Sequence, residues 1–177
     1  MPTARASRTI RAPAEQLWEL VRDPHHLPRW WPRVTRVEDV HDGAFTEVMK
    51  TRKGKVVRAD FDVVRTDEAT CTVIWVQRVE GTPFASVLKS AETELRLTPI
   101  APSAAEAFAA VGSPATDTPA TEVTIELRQE MASGSGGGSG RYGWIVYLAP
   151  RFGGPMVRRA AERTIEEALQ GLERISG

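Results

Sequence analysis

Glu47 is the residue of this chain best placed to move a proton. It lies between Phe45 and Met49 in an alternating stretch, 45–51, and so shares their side of an extended strand. On an interior face, burial would raise its carboxyl pKa into the range useful for proton transfer. On the other face it is an ordinary solvent-facing strand residue, and a one-residue register change decides between the two. Glu92 and Glu94, in a later strand-like segment, carry the same two alternatives. His25 and His26 follow a helix break, and His41 precedes Asp42-Gly43, so the histidines read as loop and turn residues. Without helical or strand pairing they make no metal site. No metal and no cofactor is expected. There is no phosphate-cradling glycine pattern and no nucleophile elbow.

The elements that must position these groups follow from periodicity. Residues 6–11 alternate as a first strand. Pro13 suits the opening turn of a helix, and Leu17, Trp18, Leu20 and Val21 share one helical face opposite Glu15, Glu19 and Arg22. Asp23-Pro24 ends that helix, because the residue before proline is driven out of the helical region. A second short helical segment, rich in tryptophan, stops by Pro32. Strands are expected over 34–40, 45–51, 56–65, 71–80, 87–97 and 121–131. In the third of these, Val57, Ala59, Phe61 and Val63 should face inward against outward Arg58, Asp60 and Asp62. Val123, Ile125 and Leu127 share a face in the last.

Residues 98–120 read as a long surface connection, and 133–140 as a flexible glycine–serine run. A final helix over about 155–175 places Met156, Val157, Ala160, Ala161, Thr164, Ile165, Ala168, Leu169 and Leu172 at helical spacing. A stripe of that length must lie across another apolar surface, and the concave side of a curved sheet is the natural partner.

The chain has 177 residues, best read as one domain over 1–177 with room for a sizeable core. Basic and acidic residues balance at 23 each, for a formal net charge of +0. That argues against bulk capture of nucleic acid. The basic cluster Lys50, Arg52, Lys53, Lys55 and Arg58 reads as a solvated hairpin turn, with a headgroup or acidic-partner contact as the alternative. Cys71 is the only cysteine, so no internal disulfide forms. It is expected as a small core residue of the strand that includes Thr72 and Val73. No window approaches the roughly 20 apolar residues of a membrane span, and no signal-peptide stretch opens the chain. A cytoplasmic location fits these features. Oligomeric state is left open.

The segment Ala12-Pro13-Ala14-Glu15-Gln16-Leu17-Trp18, with the later Leu27-Pro28-Arg29-Trp30-Trp31-Pro32-Arg33-Val34, resembles the opening of the START-like superfamily. That superfamily includes polyketide cyclases and dehydrases, plant Bet v 1-like proteins and lipid-transfer domains. The resemblance implies an α+β helix-grip fold: a seven-stranded curved antiparallel sheet wrapped on a long C-terminal helix, with two short helices after strand 1. It also implies a cavity between sheet and helix. Strand parity then offers Phe45, Met49, Phe61, Trp75, Gln77, Leu95 and Ile125 as lining residues, faced by Met156, Ala160 and Thr164 from the helix. The alternative for the aliphatic members is plain core. Buried Trp75 and Gln77 would need hydrogen-bond partners and could orient a ligand. Trp30 and Trp31 stand at the mouth, as rim and plug or both as plugs. Phe84 is a lid residue or packs its own turn.

The leading expectation is a protein that binds a hydrophobic or aromatic small molecule, lipid- or polyketide-like, without nucleic acid and without integral membrane association. The alternative is a polyketide cyclase/dehydratase of the aromatase type, with Glu47 as its catalytic group. A third is a protein-interaction module using the basic hairpin or the 98–120 segment. One scaffold hosts many activities, so the resemblance alone does not choose among them.

Overall fold

The computed structural model describes residues 3–50, 54–86, 88–101, 119–132 and 154–177. Seven antiparallel strands form one curved sheet in the order β1-β7-β6-β5-β4-β3-β2. They are β1 (Thr3–Ile10), β2 (Val34–His41), β3 (Ala44–Lys50), β4 (Val56–Asp67), β5 (Thr72–Gln77), β6 (Leu88–Ile100) and β7 (Ala120–Met131). Between β1 and β2 lie α1 (Ala14–Val21), a 3-10 turn at Pro24–His26, and α2 (Leu27–Trp30). The chain closes with α3 (Gly154–Ser176). This is the helix-grip architecture that the family resemblance implies.

Local chemistry accounts for the breaks. Pro13 is extended and immediately precedes α1 rather than entering it. Asp23 accepts a hydrogen bond from the His25 amide at 2.9 Å, which caps the turn that Pro24 opens. Asp42 and Gly43 both have positive φ, 47° and 78°, as a two-residue primed hairpin turn requires. Bulges bend the sheet: β4 slips between Val63 and Arg65, and β2 between Glu38 and His41.

Two expectations need correction. Thr98, Pro99 and Ile100 pair with β7 from the end of β6, so the surface connection is shorter than 98–120. Its centre, the glycine–serine run 133–140 and the middle of the basic hairpin lie outside the described residues. Cys71 is not a strand core residue. It sits half-buried in the turn before β5 at φ 44°, with its thiol directed at the Glu68 carbonyl, 3.5 Å away. The turn formed by residues 67–70 overrode the apolar run that follows it.

The main core lies where α3 crosses the sheet. Ile165, Ala168, Leu169 and Leu172 are completely buried with Ile10, Leu17, Leu95, Val123 and Ile125. α3 packs on β1 and β7, and on α1 and α2. A Cβ added at Gly171 would lie 2.2 Å from the Trp30 carbonyl oxygen, so only glycine permits this approach of α2 to α3. Arg8 of β1 reaches across to pair with Glu166 and Glu173 of α3. In the preceding two turns of the helix, Arg158 to Thr164, no side chain is fully buried.

Candidate functional site

The remaining concave surface belongs to β3, β4 and β5, and strand register assembles it in rows. Phe45 pairs with Phe61, and Phe61 with Gln77. Glu47 pairs with Ala59 in the adjacent row, and Val63 with Trp75, which continues to Thr93 and Leu127. Side chains in these rows point to the same face, while Arg58, Asp60 and Asp62 occupy the other. The Phe45 and Phe61 rings stack at 5.2 Å with an 11° interplanar angle. Trp31 meets Trp75 edge-on at 5.9 Å, and Trp30 meets Trp31 likewise at 5.4 Å. An aromatic wall therefore crosses the middle of the sheet.

Glu47 stands beside this wall, on the inner face, and is only 2 % exposed. Burial pushes its carboxyl up to about 8, so the group is largely a neutral acid at neutral pH. Its Oε1 has no hydrogen-bond partner. The neighbouring strand cannot supply one, because Ala59 offers only a methyl group opposite. The adjacent Thr46 is turned to the other face, where its hydroxyl donates to Asp60 at 2.6 Å. Gln77, diagonal to Glu47 across β4, carries a second buried polar atom without a partner, its Nε2. Each such orphan costs about 1–3 kcal/mol, and native interiors rarely leave one unexplained. Two on one concave face, flanking stacked aromatic rings, form an apolar surface with a hydrogen-bonding edge. Among the described residues, no cluster of His, Cys, Asp and Glu could hold a metal.

The structure separates the remaining candidates. Trp30 is buried and Trp31 half-buried, so the two tryptophans divide into a plug and a partly accessible residue. Met49 is half-buried between the main core and a smaller cluster of Ala59, Val79 and Phe84. Phe84 packs into that smaller cluster from a 3-10 turn. Leu95 and Ile125 lie in the main core with Leu169. Ala160 and Thr164 are half-buried on α3, and the Thr164 hydroxyl donates to the Ala160 carbonyl at 3.0 Å. The Met156 side chain lies outside the described residues.

Glu92 and Glu94 are removed from the acid–base set. They sit on the convex face, paired with Arg128 at 2.5 and 3.1 Å, and Glu94 also meets Arg96 at 2.8 Å. His25 and His41 are exposed, bonded to Asp23 and to the Asp39 carbonyl. Sequence reasoning missed Ala59, whose small side chain keeps the Glu47 carboxyl unpartnered. The visible signal was one alanine among the larger inward residues Val57, Phe61 and Val63.

These features define a protein of the helix-grip fold with an aromatic, partly polar concave face. A family model, polyketide cyclase/dehydrase and lipid transport, matches residues 1–177, and the chain belongs to that family. A START superfamily protein from Mycobacterium smegmatis is similar in structure, with TM-score 0.66 at 14 % identity over 98 % of this chain and 96 % of that one. An aromatase/cyclase from a Streptomyces species gives TM-score 0.63 at 16 % identity, covering 98 % and 92 %. The di-domain ARO/CYC protein BexL gives 0.64 at 18 % identity, with 98 % of this chain matching 46 % of that one. These identities speak to the fold alone. No curated protein matches the sequence. Among the described residues, no helix is long and apolar enough to cross a membrane.

Proposed function

We propose that this protein binds a hydrophobic or aromatic small molecule against the concave face of β3, β4 and β5. The observation that carries the reading is the pair of buried, unpartnered polar atoms, Glu47 Oε1 and Gln77 Nε2, beside the Phe45–Phe61 stack. A flat ligand bearing a carbonyl or phenolic oxygen would satisfy both. The neutral Glu47 acid would donate or accept, and the Gln77 amide would donate. Trp31 and Trp75 lie on the same surface and would report occupancy.

The test is tryptophan fluorescence quenching by 2-naphthol and by a hydroxylated anthraquinone, in the wild type and in Glu47→Leu/Gln77→Leu. Saturable quenching that weakens about tenfold in the double variant, a loss of about 1.4 kcal/mol, is expected. Native mass spectrometry of the freshly purified protein would show any ligand carried along. Absence of binding by either probe and of any co-purified molecule would overturn the reading.

A second reading, an aromatase-type cyclase and dehydratase, is favoured specifically by Glu47. A carboxyl titrating near 8 is available in both protonation states close to neutrality. As carboxylate it would take the α-proton of a bound polyketone. As acid it would return that proton to the carbonyl oxygen where the new carbon–carbon bond forms. A second cycle would remove another α-proton and deliver it to the departing hydroxyl, releasing water and leaving a double bond. Glu47→Gln should then keep ligand affinity but lose turnover. A variant that turns over normally would leave only the binding reading. The segments on which a protein-interaction role rested lie mostly outside the described residues, and nothing here favours it.

A further inference from the structure

A second groove, which shares Trp31 with the aromatic wall, runs between the α2–β2 connection and the last turns of α3. It is a partly open groove of about 350 Å³, with Pro28 to Val34 on one side and Glu167, Gln170 and Arg174 on the other. Three arginines line it: Arg29, Arg33 and Arg174. Among the described residues none of the three has an ion-pair or hydrogen-bond partner for its guanidinium. Among the other described arginines, Arg8, Arg22, Arg36, Arg58, Arg65, Arg78, Arg96 and Arg128 meet carboxylates, while Arg5, Arg11 and Arg159 stand singly on the surface away from this groove. The one carboxylate in the groove, Glu167, is already engaged by Arg163 at 3.1 Å.

The backbone adds a second observation. Arg33 has φ 68°, a left-handed conformation that is uncommon outside glycine. It is held there between Pro32 and the start of β2, and its carbonyl accepts from the Lys50 amide at 3.3 Å. Local strain of this kind is retained where the surrounding structure enforces it, and it concentrates at binding sites.

We propose that this groove is a binding site for a phosphate monoester. Guanidinium forks match phosphate oxygens in pairs. A dianion balances the surplus of three arginines over one occupied carboxylate better than a monocarboxylate does. Gln170 adds an amide donor. Its volume falls in the size range of small-molecule sites, so the groove has room for an organic portion as well as the phosphate, against Pro28 and Pro32. The phosphate can arrive on a soluble metabolite or on a phospholipid headgroup; the recognition chemistry is the same.

Two arms separate those sources. In the first, glycerol 3-phosphate is titrated into labelled protein and backbone amides are followed by NMR, with sodium chloride at matched ionic strength as control. In the second, the protein is floated with phosphatidylcholine vesicles, with and without phosphatidic acid. Saturable shifts confined to residues 29–34 and 167–174 assign a soluble ester. Flotation that requires phosphatidic acid, without those shifts, assigns a headgroup. Arg29→Gln/Arg174→Gln should weaken whichever is seen at least tenfold. Arg33→Gly, which suits the positive φ, should weaken it too while preserving the fold. Shifts reproduced by sodium chloride, binding unchanged in the variants, or no response in either arm would overturn the proposal.

Discussion

The two parts of the concave side of the sheet, under α3 and on β3 to β5, are built on opposite principles. Where the last turns of α3 cross β1 and β7, every inward side chain from Ile165 to Leu172 is completely buried, and glycine at 171 brings two backbones into contact. Where β3, β4 and β5 form the rest of the concave face, the interior holds an unpartnered carboxyl oxygen and an unpartnered amide nitrogen beside aromatic rings. Close packing stabilises and specifies one end, although the indole N–H groups of Trp18 and Trp30 there also lack partners. The other end carries destabilising polar groups, of the kind that binding sites retain at the expense of stability. The lesson is that this fold divides its labour between two parts of one curved sheet.

The comparison breaks first at the packed end. Leu169→Ala should cost about 2–5 kcal/mol, because the cavity cannot collapse between β1, β7 and the helix; urea denaturation reads it directly. Gly171→Ala should cost about 1–3 kcal/mol, since the obstacle is Trp30 backbone rather than a flexible side-chain tip. A variant as stable as wild type at either position would mean that this end is not close-packed.

The site end should respond with the opposite sign. Glu47→Leu removes a buried acid that lacks a partner and should raise stability by about 1 kcal/mol while weakening the aromatic probe. The pH dependence sharpens this. The Glu47 carboxyl titrates near 8 when folded and near 4.5 when unfolded. Between those values the folded state holds the extra proton. The cost of burying this carboxyl is therefore smallest below about 4.5 and grows, so that stability falls, as pH rises toward 8, with a slope approaching about 1.4 kcal/mol per pH unit. Glu47→Gln should flatten that slope in denaturation curves taken across the window. An unchanged slope would place the titration elsewhere.

The smallest effect belongs to the exposed turns of α3. Breaking the Arg158–Glu162 pair, 2.7 Å apart and solvent-exposed, with Glu162→Ala should cost no more than about 0.5 kcal/mol. Hydrogen exchange should show the same gradient, with protection rising from Arg158 toward Leu172.

Much of the fold was legible because the signals are local and repeated. The alternation Val57, Ala59, Phe61, Val63 places the inner face of β4 without ambiguity about parity, and the Asp-Gly and Asp-Pro pairs mark where elements end. The failures are also local in cause. Cys71 lies in a turn whose left-handed backbone is not written in its residue type. Glu92 and Glu94 have the opposite parity to inward Leu95, and pairing with Arg128 settles their two alternatives in favour of the convex face.

What the chain determined by itself was therefore periodicity: which residues share a face, where helices stop, and that one long apolar stripe must find a curved sheet. Only the tertiary structure decided which face is inside at Glu47, that Ala59 leaves it unpartnered, and that Trp30 is a plug while Trp31 reaches Trp75. It also brought Arg29 and Arg33 beside Arg174. The reason is physical. Parity is a property of neighbouring residues, but burial, charge balance and the presence of a partner depend on groups far away in sequence, which meet only when the sheet bends and the helix lies down.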